Sequence, residues 1–314
     1  MTARRVLTAA AVAVFTAAPF ALSAVPAGAK SRHPQHASAK HSSHHWGRTE
    51  AVQAVTPGSD YLALGDSVTF GYEESSVVPA PNYLDAASLI GYPAMLGSEL
   101  HLNVANASCP GETSASLVDA NAISNGCENT LGQPTGYRTA FPLHVNYTGS
   151  QLAFAVSYLR SHPRTRLVSL MIGANDAFVC DETTADQCTS PSELQALLTS
   201  IEKNVTTTLS TIRHQAHYRG QIVIVNYYSL DNASAADNAQ TAFLNTAMDT
   251  AAKPFGVEIA DGFGEWQAAS VHSAGDPCTA GLLTQLSGGG CGIHPSFAGQ
   301  ALLAQSVEDA IAVG

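Results

Sequence analysis

The sequence predicts an α/β fold, a three-layer α/β/α sandwich built on a five-stranded parallel sheet. Three observations predict it. Short segments rich in Val, Ile and Leu recur along the chain. Their apolar runs are continuous rather than alternating, as suits strands buried on both faces. The stretches between them carry apolar residues at helical spacing, and alternation of the two kinds is the mark of a layered α/β domain.

The strand candidates are "YLALGD" (61–66), "LNVANAS" (102–108), "RLVSLMIG" (166–173), "QIVIVNYY" (221–228) and "VEIAD" (257–261). Helix candidates lie between and after them. Tyr92 to Leu100 is short. Gly149 to Ser161 places Leu152, Val156 and Leu159 on one face. Pro191 to His217 carries a stripe of Leu194, Leu197, Leu198, Ile201 and Val205, with Ser190-Pro191 as cap and first turn. Ala235 to Phe255 and Ser296 to Val313 complete the set. Segment 109–148 has little periodicity, and it and the long loop 72–90 are expected to shape a site. The stretch "LSGGGCG" (286–292) reads as a flexible connection.

The amino terminus reads as something apart. Arg4 and Arg5, a long apolar run and Ala27-Gly28-Ala29 have the layout of a secretory signal peptide over residues 1–29. An uncleaved anchor and a twin-arginine signal are the competing readings. Residues 30–57 read as a disordered linker holding His33, His36, His41, His44 and His45, and residues 58–314 as the folded domain. After residue 50 the chain has eight Lys and Arg against 24 Asp and Glu, a net charge of −16. Such a domain repels phosphate backbones and anionic membrane surfaces, so no nucleic-acid partner and no stable membrane insertion of the mature chain are expected. There is no P-loop and no G-x-G-x-x-G, which argues against a nucleotide cofactor.

Six cysteines in an exported chain read as disulfides. Neighbour pairing gives Cys109–Cys127, Cys180–Cys188 and Cys278–Cys291, each closing a short loop between expected elements. Cys291 and His294 alone are too few ligands for a metal site.

In an open parallel sheet, ligands bind beyond the carboxyl ends of the strands. Strand one ends there in Gly65-Asp66-Ser67. Strand two runs into "SCPGETS" with Gly111, and strand three into "GANDAF" with Asn175 and Asp176. Tyr227 and Tyr228 end strand four, and "CGIHPSF" brings His294. A serine hydroxyl needs a base to become a nucleophile, and His294 is the candidate. His272, His144 and His101 lack a comparable setting. The Ser67 N–H, the Gly111 N–H and the Asn175 side-chain amide are donors suited to an oxyanion. Asp66 and Asp176 read as structural acceptors. Ser67 could instead simply cap the following helix.

Taken in order, Gly65-Asp66-Ser67, Gly111, Gly173-x-Asn175-Asp176 and His294-Pro295 resemble the blocks of the GDSL or SGNH hydrolases, over about residues 60–300. "CPGETS" and "GANDAF" are similar to the secreted bacterial esterase and lipase branch. The resemblance implies a flavodoxin-like sheet and a secreted, serine-dependent hydrolase of carboxylic esters, with no cofactor and no metal. It implies Ser67 as nucleophile, His294 as base, and an oxyanion hole of Ser67, Gly111 and Asn175. The substrate expected is a small-molecule or lipid ester, and the enzyme a monomer. A carbohydrate O-acetylesterase, or an idle binding domain of the same fold, are the alternatives. The family's aspartate three residues before the histidine is Cys291 here, and a sulfur cannot hold an imidazole as a carboxylate does. A Ser-His dyad, with a backbone carbonyl near Cys291 accepting from the histidine, is therefore expected. Asp276 or Glu265 is the alternative acid.

Overall fold

The computed structural model describes residues 53–131 and 135–314. The signal peptide expected over 1–29 and most of the linker expected over 30–57 lie outside the described residues. The linker's end does not. Val55 is fully buried and pairs with Val313, its N–H donating to Ala312 O at 2.8 Å. The folded domain thus begins before residue 58, because Val55 fills an apolar place in the core.

Five strands form one sheet: β1 (Asp60–Gly65), β2 (Asn103–Asn106), β3 (Thr165–Met171), β4 (Gln221–Val225) and β5 (Glu258–Ala260). Their order is β2-β1-β3-β4-β5, and every pair is parallel. This is the doubly wound order of the flavodoxin-like fold. β1 and β4 are buried at every residue, so continuous apolar runs were the right signature for strands covered on both faces.

The helices are α1 (Ser67–Phe70), α2 (Tyr92–Glu99), α3 (Ser114–Val118), α4 (Tyr137–Ala140), α5 (Gln151–Ser161), α6 (Ala174–Thr183), α7 (Pro191–Ser210), α8 (Ala235–Ala252), α9 (Gly262–Ser270) and α10 (Phe297–Ala310). The four expected after β2 start where a serine accepts a backbone N–H. Ser150 caps α5, Ser190 caps α7, Ser234 caps α8 and Ser296 caps α10. Pro191 sits in the first turn of α7, where its missing N–H costs nothing.

Two features depart from the sequence reading. The stretch after β3 is a helix, α6, starting one residue before Asn175. The expected flexible connection before His294 is an antiparallel hairpin, β6 (Leu283–Gln285) with β7 (Cys291–Pro295). His294 therefore sits on a strand. The hairpin is held from outside: Val77 bridges Leu286, Ser287 N–H donates to Ser76 O at 2.7 Å, and Cys291 is bonded to Cys278. The three disulfides are Cys109–Cys127, Cys180–Cys188 and Cys278–Cys291, the pairing of nearest neighbours.

Candidate active site

The site lies where β1 ends. Asp66 leaves the strand and caps α1, its Oδ1 accepting the Val68 N–H at 3.0 Å. Ser67 is thus the first residue of α1 and not its cap, which frees the hydroxyl. Ser67 Oγ lies 2.9 Å from His294 Nε2. The buried β1 holds one partner and the braced hairpin holds the other.

What orients His294 corrects the expected dyad. The atom on His294 Nδ1 is a carboxylate oxygen, Glu74 Oε1, at 2.8 Å. No backbone carbonyl near Cys291 takes that place, and neither alternative acid does. Asp276 accepts from Cys278 N–H and the Thr279 hydroxyl, and Glu265 sits in the first turn of α9. Glu74 comes from the segment after α1. Its Oε1 also accepts the N–H groups of Ile293 at 2.7 Å and His294 at 3.1 Å, and its Oε2 accepts the Thr284 hydroxyl at 2.6 Å. Partial burial works against the charge. The hydrogen bond and charge of His294 and the Thr284 bond outweigh it and bring Glu74 down to about 2. A carboxylate that stays ionised accepts the hydrogen bond from Nδ1–H and so keeps the proton on that nitrogen, leaving the Nε2 lone pair facing Ser67.

Of the expected oxyanion donors, Asn175 bonds to Asp66, the neighbour of Ser67, and is linked to Gly111 through Asn125. Asn175 is buried in the first turn of α6, and its Nδ2 donates to Asp66 Oδ2 at 3.3 Å while its Oδ1 accepts from Asn125 Nδ2 at 2.9 Å. One Nδ2 hydrogen remains. Among the described residues, neither the Ser67 N–H nor the Gly111 N–H is taken by another group. Gly111 has φ +83°, and a Cβ there would lie 2.6 Å from the Asn125 carbonyl oxygen, so only glycine fits this turn.

The supports are buried. Asp66 accepts from the Tyr227 hydroxyl as well as Val68 and Asn175, and burial pushes its carboxyl up to about 6. Tyr228 donates to Ile293 O at 2.7 Å. The two tyrosines expected to end strand four are therefore buried struts of the site. Asp176 accepts the Ser114 N–H at 2.7 Å and its hydroxyl at 2.6 Å, tying α6 to α3, and burial brings it to about 6. Glu112, next to Gly111, is raised to about 8 by burial and bonded to Gln151, whose amide also brackets Gly65. His144 contacts Phe70 O at 2.9 Å and stays out of the reacting group.

Tyr72 presses edge-on against the His294 ring at 5.0 Å and stacks on Tyr83. Among the described residues, Cys109, Glu112 and Cys127 are the grouping close enough to hold a metal ion. The two sulfurs are bonded to each other, so they are not available as ligands.

Sequence reading missed Glu74 and Asn125. Glu74 carried a faint signal, an acid seven residues after Ser67 in a segment already expected to shape the site. Asn125 carried none beyond its place in the loop closed by Cys109 and Cys127.

The family model described as GDSL-like Lipase/Acylhydrolase family matches residues 63–302. No curated protein sequence matches the chain significantly. An acetylxylan esterase from Geobacillus stearothermophilus is similar in structure, with TM-score 0.52 and 16% identity, over 83% of this chain and 98% of that one. An α/β hydrolase enzyme from the metagenome of Lake Arreo, Spain, is similar at TM-score 0.47 and 18% identity, over 81% of this chain and 95% of that one.

Proposed function

Because the chain belongs to the GDSL-like lipase and acylhydrolase family, we propose that it is a secreted serine hydrolase of carboxylic acyl esters in which Ser67, His294 and Glu74 act as a triad. The unbroken line from Ser67 Oγ through His294 to Glu74, with both links under 3 Å, carries this reading. Ser67 Oγ bonds to the ester carbonyl carbon while its proton passes to His294 Nε2. The carbonyl oxygen becomes an anion facing the donors of Ser67, Gly111 and Asn175. The carbon–alkoxy bond breaks, and the alcohol leaves with the proton from Nε2. Water then gives Nε2 a proton, its oxygen bonds to the acyl carbon, and Ser67 departs with that proton as the acid is released. Glu74 keeps the imidazole in the working tautomer and stabilises its cation.

The surroundings favour esters with an apolar part. Exposed Val78 and Leu84 lie on the segment that carries Glu74, Phe178 on α6 with Asn175, and Ile293 beside His294, and the Tyr72–Tyr83 pair flanks the base. Three disulfides fit an oxidising compartment, which supports export by the amino-terminal segment. Among the described residues no helix is long and apolar enough to cross a membrane.

The test is turnover of p-nitrophenyl esters from acetate to palmitate, beside Ser67→Ala. Serine-dependent turnover rising beyond acetate supports the reading. Turnover of acetate alone selects a deacetylase. A Ser67→Ala protein that keeps substantial activity overturns the assignment.

A further inference from the structure

Two of the three oxyanion donors, Gly111 and Asn175, come from different layers of the fold, the loop after β2 and the start of α6. One residue grips both. The Asn125 N–H donates to Gly111 O at 2.7 Å, and its carbonyl packs where a Gly111 Cβ would stand. Its side chain donates from Nδ2 to Asn175 Oδ1 at 2.9 Å.

A carboxamide can sit in a site either way round, and only one way offers N–H groups to an anion. At Asn175 the Asp66 carboxylate, which can only accept, makes the choice, and the Asn125 amide matches it. Asn125 presents a donor, which calls for Oδ1. Asp66 presents an acceptor, which calls for Nδ2. Asn125 is itself held still. It lies two residues before Cys127 of the Cys109–Cys127 disulfide. Its neighbour Ser124 accepts the Glu128 N–H at 3.0 Å and donates its own N–H to Asn129 O at 3.0 Å.

We infer that Asn125 is a positioning residue for ester hydrolysis, aligning the Gly111 peptide and the Asn175 amide as one oxyanion-binding unit. This rests on the ester-hydrolase reading above. The disulfide-closed loop then has a task beyond cross-linking: it carries the residue that, together with Asp66, holds the Asn175 amide in one orientation.

Asn125→Asp is the decisive variant. It keeps size and the backbone bond to Gly111 but replaces the donor facing Asn175 Oδ1 with an acceptor. The Asn175 amide then turns over or is repelled. The expected result is a loss of about 10²–10³ in kcat, the range for one oxyanion donor, with KM little changed. Asn125→Asp combined with Asn175→Ala should cost no more than Asn175→Ala alone. Inhibition by an alkyl boronic acid, which forms a tetrahedral anion on Ser67, should weaken in parallel. Unchanged kcat in a folded Asn125→Asp protein, or losses that multiply in the double variant, overturn the inference. A readout free of turnover separates this from failure of the ester-hydrolase reading. The Asn175 side-chain amide NMR signal, assigned by its disappearance in Asn175→Ala, should shift in Asn125→Asp. If it stays in place the inference fails, whether or not any ester is cleaved.

Discussion

Glu74 occupies the space that a side chain at Gly292 would need: a Cβ on Gly292 would stand 2.2 Å from Glu74 Oε1. The glycine is there to let a carboxylate reach His294 Nδ1 from a segment more than two hundred residues earlier. Gly292→Ala should push the carboxylate aside and lower kcat by roughly 10², the cost of misplacing a reacting group by about 1 Å. Combined with Glu74→Ala it should add nothing further. Multiplying losses in the double variant would show that Gly292 acts on something other than Glu74.

Glu74→Gln tests the acid itself. It keeps the shape and removes the charge, and the amide can present a donor to Nδ1 and leave the imidazole in the wrong tautomer. The expected loss in kcat is about 10³–10⁴, by analogy with triads that lose their carboxylate. Asp276→Ala and Glu265→Ala should keep most of the activity. Kinetics on the three variants decide among the acids.

The Cys278–Cys291 disulfide should matter for catalysis as well as stability. Cys291 begins the strand that carries His294, three residues on. Replacing both cysteines by serine should destabilise the fold by about 3 kcal/mol, typical for a loop of this size, and lower kcat. Replacing Cys180 and Cys188 should cost stability with little change in kcat, since that pair closes at the end of α6 away from Asn175. Thermal melts and initial rates on the two variants separate the effects.

Stability should fall as pH rises from about 4 to 8. Asp66 and Asp176 sit near 6 and Glu112 near 8 in the fold, against ordinary values of 3.8, 3.8 and 4.5. The folded chain therefore holds protons that the unfolded chain has released. Each such group removes up to about 1.4 kcal/mol per pH unit across its own window. Glu74 acts in the opposite sense, because its stabilisation is present above about 4.5 and is lost as pH falls toward 2. Glu112→Gln should flatten the decline between 4.5 and 8, as read by melting temperature across a pH series. An equally steep decline in the variant would remove Glu112 from the account.

The local pattern made the main sheet readable. β1 and β4 are apolar at nearly every position because helices cover both faces, and the blocks after β1, β2 and β3 bring their donors to one edge. The hairpin was not readable, since glycines 288–290 look like slack and its stiffness comes from Val77, Ser76 and Cys278 elsewhere in the chain. Glu74 was hidden for the same reason. Cys291 marks where the usual carboxylate is missing, but nothing local shows that one arrives from the segment after α1, 220 residues earlier in the chain. Asn125 has only the signature of a turn residue, and its role comes from what two distant loops place against it.

The meeting of Val55 with Val313 fixes more than a boundary. Gln221, the first residue of β4, bonds through its side chain to Gln53 O and to both the N–H and carbonyl of Ala312. Both ends of the domain thus emerge where the strands begin, and Ser67 stands where they finish. A support, a carrier protein or a cell surface joined at either end would leave the catalytic mouth pointing outward, open to large or immobile substrates.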